Sequence, residues 1–147
     1  MAPRAIIGIG YEGSDLEGLV ARLRLRGVEH VVDVRLNPIS RKRGLSKTAL
    51  RAGLEAAGIG YSHLRALGNP KTNREGFATS AGPEAFASRE TYRDLLRSDE
   101  AQSALSEVRD LTESHHVALL CFEADETHCH RELILQALCA EDLALAV

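Results

Sequence analysis

The sequence has little cysteine, no long apolar run and no surplus of positive charge, and each shortage excludes something. Its three cysteines, Cys121, Cys129 and Cys139, do not make a paired disulfide framework. No apolar stretch approaches the roughly 18 residues of a membrane span, and the opening one, Ala5 to Ile9, is the size of a strand. No charged segment followed by a long apolar core and cleavage site stands at the N-terminus. A net charge of −3 and a pI near 6.1 supply no global cationic field. Nucleic acid would have to be met by a local patch such as Arg35, Arg41, Lys42 and Arg43. Together these absences predict a soluble protein of the reducing cytoplasm, without a membrane partner and without a sequence-independent grip on polyanions.

What is present is a pattern of short apolar runs alternating with segments of helical period. At 147 residues and 44% hydrophobic content, the chain is sized for one substantial core, so residues 1–147 are expected to form a single α/β domain. Strands are predicted at Ala5 to Ile9, Val28 to Val34, Ile59 to His63 and Val117 to Cys121, with Leu143 to Val147 as a further edge strand. Helices are predicted between them. The first carries a Ser14–Glu17 capping box and stops at Gly27; the second starts at Ser46 and stops at Gly58. Gly68 to Pro83 reads as a long loop, followed by helices around Tyr92 to Leu96 and Ala101 to Leu111, and by a last helix from His128 to Ala140. Strands separated by helices give a three-layer sandwich: a mostly parallel sheet of four to five strands with helices on both faces.

In such sheets ligands bind outside the carboxyl ends of the strands. Gly8, Gly10, Tyr11 and Glu12 follow the first strand, Asp33 and Arg35 end the second, His63 ends the third, and Cys121 and Glu123 end the fourth. Cys129, His130 and Arg131 then open the last helix. Gly8-x-Gly10-x-x-Gly13 has the spacing of a dinucleotide turn, but Tyr11 and Glu12 crowd it and favour a tight structural turn. Asp33 and Arg35 point to one face and read either as an ion pair closing the strand or as an anion-binding fork. Cys129 at a helix start is the best nucleophile candidate, with Arg131 and His130 favouring its thiolate; packing alone competes with that reading. Glu123 and His63 are candidate acid/base groups. The spacing argues against a metal, because no Cys-x-x-Cys or His-x-x-x-His pair occurs and consecutive residues diverge around a helix. A thiol-phosphatase loop is excluded by Leu135, which stands where that loop needs arginine.

The strand Val31-Val32-Asp33-Val34-Arg35 with Pro38, the Leu67-Gly68-Asn69-Pro70 turn, and Leu120-Cys121-Phe122-Glu123 leading to Cys129-His130-Arg131 resemble the family catalogued as domain of unknown function 488. The first turn departs from the family's Gly-His-Ser, with Tyr11 and Glu12 in the second and third places. The resemblance implies a compact α/β sandwich in a cytoplasmic microbial protein, and it brings no established reaction or cofactor with it.

The residues point first to a rim pocket for a small anionic, phosphate-bearing ligand, bound by Arg35, Arg131 and the first-turn backbone. Cys129, Glu123 and His63 would carry group transfer or hydrolysis there. The competing reading is a non-catalytic module that senses a nucleotide or contacts nucleic acid through the Arg41-Lys42-Arg43 loop.

Overall fold

The computed structural model describes residues 6–145. Four parallel strands, β1 (Ile6–Gly10), β2 (His30–Asp33), β3 (Gly60–His63) and β4 (Val117–Cys121), lie in the order β1-β4-β2-β3. The chain leaves β1, passes over the place of β4 to build β2 and β3, and returns at the end to fill the gap. In register, Gly10 stands beside Cys121 and Asp33 beside both Leu120 and His63. The ends of β1, β4 and β2 therefore meet at one rim, where the strand order reverses.

Five helices connect and cover the sheet: α1 (Leu16–Leu25), α2 (Lys47–Ala56), α3 (Pro83–Leu96), α4 (Asp99–Thr112) and α5 (Arg131–Leu145). β4 is buried along its whole length, which is why it reads as an unbroken apolar run rather than an alternating one. Its side chains still divide by face. Val117, Leu119 and Cys121 join Val32 under Leu96, Leu105, Val108 and Ile134 of α3, α4 and α5, whereas Ala118 and Leu120 join Val31 under Leu19, Leu23, Leu50 and Leu54 of α1 and α2. Each fully buried leucine contributes about 1.5–3 kcal/mol, so the two apolar layers hold the sheet from both sides as an α/β/α sandwich.

The details depart from the sequence pattern at several ends. Asp15 rather than Ser14 caps α1, its carboxylate accepting from Gly18 N at 2.7 Å, while Ser14 Oγ accepts from Arg22 instead. Gly27 does stop the helix, with φ +69°. The stretch from Gly68 to Pro83 contains two 3-10 turns, Lys71–Asn73 and Glu75–Ala78. They are pinned because Phe77 is buried in the core and Asn73 Nδ2 donates to Asn69 Oδ1 at 3.0 Å and Ser88 O at 2.9 Å. The expected edge strand at Leu143 is not there: α5 runs on to Leu145, since Ala140-Glu141-Asp142-Leu143 contains no glycine or proline to end it. Ala146 and Val147 lie outside the described residues, and the described sheet has four strands. Among the described residues no helix is long and apolar enough to cross a membrane.

Candidate functional site

At the rim the chain leaves β4 as Cys121-Phe122-Glu123, crosses over the end of β1 and makes a 3-10 turn at Glu126–His128. Asp125 caps that turn by accepting from Thr127 N at 2.9 Å. The crossing explains Gly10, where a Cβ would lie 1.9 Å from the Glu123 carbonyl oxygen; at Gly8 a Cβ would meet only side-chain ends, Glu126 Oε1 at 1.8 Å and Arg131 Nε at 2.9 Å. The first-turn N–H groups are occupied as well, Tyr11 N donating to Cys121 O at 3.2 Å and Glu12 N to Phe122 O at 2.8 Å. The Gly8–Gly10 turn is thus a close crossing of two segments, and its backbone offers no cradle for a phosphate.

Cys129 does not open α5, as the pattern suggests, but precedes Arg131 by two residues in extended backbone, with φ −138° and ψ 146°. Its neighbour can therefore turn back toward it. His130 Nδ1 lies 3.7 Å from Cys129 Sγ, while His130 Nε2 is 2.8 Å from Val34 O. A carbonyl only accepts, so Nε2 carries a proton and Nδ1 faces the sulfur. The ring is further fixed by an edge contact with Tyr92, 5.2 Å between centroids, and Tyr92 is itself anchored by donating to Leu67 O at 2.6 Å.

Cys121, Cys129 and His130 are all buried, and their sulfur and ring-nitrogen donors lie within 4.8 Å of one another. Cys129 and His130 do not diverge around a helix, because Cys129 is extended rather than helical. Burial opposes a charge on Cys129, but hydrogen bonds from Cys121 and His130, with the charges of His130 and Arg131, hold its pKa well below the ordinary thiol value. The hydrogen bond to Cys129, burial and the neighbouring charges of Cys129 and Glu123 push Cys121 well above it. The two thiols are therefore pushed in opposite directions, Cys129 toward losing its proton and Cys121 toward keeping it. Burial, followed by the charge of Cys129, raises the pKa of Glu123, whose Oε2 is buried without a hydrogen-bond partner.

These groups line a cavity of about 110 Å³ together with Tyr11, Arg35, Asn37, Asn69, Arg74, Phe77 and His128. Ile39 and Phe122, both exposed, form an apolar part of its lining. Among the residues picked out from sequence, Tyr11, Arg35, Cys121, Glu123, Cys129 and His130 share this space, and five do not.

Asp33 is fully buried behind Arg35. Arg35 Nε and Nη2 grip its two oxygens at 2.9 and 2.7 Å, Tyr61 donates to it at 2.5 Å, and Arg35 Nη1 donates to Tyr11 Oη at 3.2 Å and Leu45 O at 2.8 Å. Burial works against the Arg35 charge, but Asp33 and Tyr11 together raise its pKa. The fork is closed on its own carboxylate, leaving one Nη2 proton for anything else. His63 turns away to bond Arg35 O at 2.7 Å. Arg131, 1% exposed, points to the other side of β1, where it shares a separate hollow with Gly8, Gly10 and Glu126. Its Nη2 donates to Ala124 O at 3.2 Å, and its Nε stands 3.6 Å from Glu126. In the basic loop, Lys42 Nζ donates to Tyr11 O and Ser14 O, which occupies the middle charge of Arg41-Lys42-Arg43.

Arg74 is the cation that sequence reasoning missed. Its Nε donates to Asn69 O at 3.3 Å, and its two Nη groups have no hydrogen-bond partner among the described residues. The signal lay in Gly68-Asn69-Pro70. A Cβ at Gly68 would come within 2.4 Å of Leu36 Cα, so that turn must press the loop against the segment after β2.

Fold and site together define an α/β sandwich with a thiol–imidazole pair at the rim of its sheet. The sequence model of one family, described as domain of unknown function DUF488, matches residues 15–138, and the chain belongs to that family. The match takes in the Cys121 to Arg131 stretch and begins after β1. No curated protein and no solved structure matches the chain.

Proposed function

We propose that this protein is a thiol-dependent enzyme of group transfer or hydrolysis, acting on a small anionic, phosphate-bearing substrate with Cys129 as the nucleophile. The observation that carries the reading is the arrangement Cys129 Sγ, His130 Nδ1, Val34 O: a sulfur 3.7 Å from an imidazole nitrogen, with the other ring nitrogen held by a carbonyl at 2.8 Å. Nucleophile, partner and orienting group are the three parts an activated thiol needs.

The chemistry follows from where the protons sit. The Cys129 thiolate attacks the transferred group, a bond from sulfur to that group forms, and the bond to the leaving oxygen breaks. Glu123, raised in pKa by burial and by the charge of Cys129, is the general acid in this reading: its carboxyl form gives a proton to the leaving oxygen. Water then attacks the thiol-bound group, Glu123 takes the proton back, and the thiolate leaves to rejoin His130. Where an alcohol replaces water, the same sequence is a transfer. Arg74 supplies the charge that draws the anion, and Ile39 and Phe122 receive its apolar part. The cytoplasm suits such a site, because a thiolate beside a second thiol works only where both stay reduced.

The test uses p-nitrophenyl phosphate and p-nitrophenyl acetate as generic substrates. Cys129→Ser should lose release of p-nitrophenolate while keeping the wild-type circular dichroism and melting curve. Arg74→Ala should raise KM for the phosphate by about 10-fold, the scale of one charge-assisted contact, and leave the acetate unaffected. An unchanged rate in folded Cys129→Ser removes the nucleophile.

A further inference from the structure

Four donor groups reach the cavity from one short piece of chain: Cys121 at the end of β4, Glu123 two residues on, and Cys129 with His130 ahead of α5. Zinc holds thiolate sulfur at about 2.3 Å and imidazole nitrogen at about 2.0–2.1 Å, so a tetrahedral site sets sulfur and nitrogen about 3.6 Å apart. Cys129 Sγ and His130 Nδ1 are 3.7 Å apart, and Cys121 Sγ lies within 4.8 Å of both. His130 donates its Nε2 proton to Val34 O at 2.8 Å. That outer bond turns Nδ1 toward the sulfurs, as the second nitrogen of a metal-bound histidine is usually held, and the Nδ1 proton leaves when the metal enters. Glu123 Oε2 is buried in the same cavity with no hydrogen-bond partner, outside the close trio formed by the two sulfurs and the ring nitrogen.

We propose that Cys121, Cys129 and His130 bind one Zn²⁺ ion as three protein ligands, with the fourth position left to water. Two sulfurs and an imidazole form a soft donor set that favours zinc over magnesium or calcium. Both sulfurs bind as thiolates, so protons are released as the metal enters. With one sulfur lone pair on zinc, Cys129 is a weaker nucleophile, and the metal-bound protein is the less reactive form of the enzyme. Only this last consequence rests on the thiol-enzyme reading; the binding site stands on its own donors.

The experiment titrates Co²⁺, a coloured substitute for zinc, into the full chain after chelator dialysis under a phosphine reductant. The expected result is one equivalent bound, with a thiolate-to-cobalt charge-transfer band in the near ultraviolet, tetrahedral bands in the visible, and bleaching of both by Zn²⁺. Cys139→Ser should behave as wild type. Cys121→Ser, Cys129→Ser and His130→Gln should lose affinity by about 100-fold or more, beyond what an outer-shell partner accounts for. A measurement that needs no variant accompanies these: Zn²⁺ should protect Cys129 of the wild type from iodoacetamide, read by peptide mass spectrometry, and a chelator should restore labelling. Absence of the charge-transfer band, a band of unchanged intensity at unchanged Co²⁺ affinity in folded Cys129→Ser, or equal labelling with and without zinc would each overturn the site. Cys129-dependent turnover without a cobalt band sinks the metal alone, whereas a cobalt band in a protein whose turnover ignores Cys129 sinks the enzyme reading alone.

Discussion

Two buried polar clusters stand side by side at the rim of the sheet, one on β2 and one between β4 and α5, and they differ in how far their hydrogen-bonding capacity is filled. On β2, both Asp33 oxygens are taken by Arg35, Tyr61 adds a third bond, and Tyr11 and Leu45 take two more Arg35 protons, leaving one of its five. Beside it, Cys121, Cys129, His130 and Glu123 leave a carboxylate oxygen without a partner and push two adjacent thiols in opposite directions, Cys129 down in pKa and Cys121 up. A closed network fixes the geometry of a strand end, while an open one holds reactivity in reserve. Charge and burial alone do not separate the two, since both are buried and both contain ionisable groups. The distinction lies in the unfilled valences.

That contrast is broken most forcefully by Asp33→Ala. Removing one partner of a fully buried pair leaves the Arg35 charge uncompensated, and urea unfolding should show a loss of about 3–5 kcal/mol. A loss under about 1 kcal/mol would mean that water reaches Arg35 and that the β2 cluster is not closed. On the other side the effects should reverse. Glu123→Gln keeps the shape and removes the proton donor, so turnover of p-nitrophenyl phosphate should fall about 10²-fold, near 2.7 kcal/mol of barrier, with little change in the melting temperature. If turnover stayed within about twofold of wild type, the acid would have to be sought elsewhere.

The sequence carries the rim because position along a parallel strand decides which residues arrive there. Apolar runs mark β1 to β4, each run ends where its polar residues begin, and Tyr11, Arg35, Cys121, Glu123, Cys129 and His130 therefore share one cavity. Direction around a helix is harder to read. Moving the start of α5 from His128 to Arg131 leaves Cys129 extended and swings Arg131 to the far side of β1, and no periodicity reports so small a phase shift. Donor saturation is invisible as well: nothing in Asp33-Val34-Arg35 states that the guanidinium folds back on its own strand. Arg74 escaped notice because it lies in a segment without period, positioned by the buried Phe77 and by Asn69 rather than by an element of its own.

The smallest expected effect sits at the opposite end of β2 and sharpens the contrast by lying outside both clusters. His30 is bonded through Nε2 to Ser62 Oγ at 2.8 Å and faces the ring of His115 at 6.0 Å; burial first, then the charge of His115, lowers its pKa below 6.5. An imidazole with a depressed folded-state pKa takes up its proton more readily when unfolded. Its contribution to stability is therefore whole above about pH 6.5, declines as the pH falls below that value, and stops declining once the pH is under the folded-state pKa. His30→Gln should flatten that decline in urea midpoints taken from pH 7.5 down to 5 while leaving the neutral-pH midpoint and the reactivity of Cys129 nearly unchanged. If wild type and variant ran parallel across the range, the acid-side loss of stability would belong to groups other than His30.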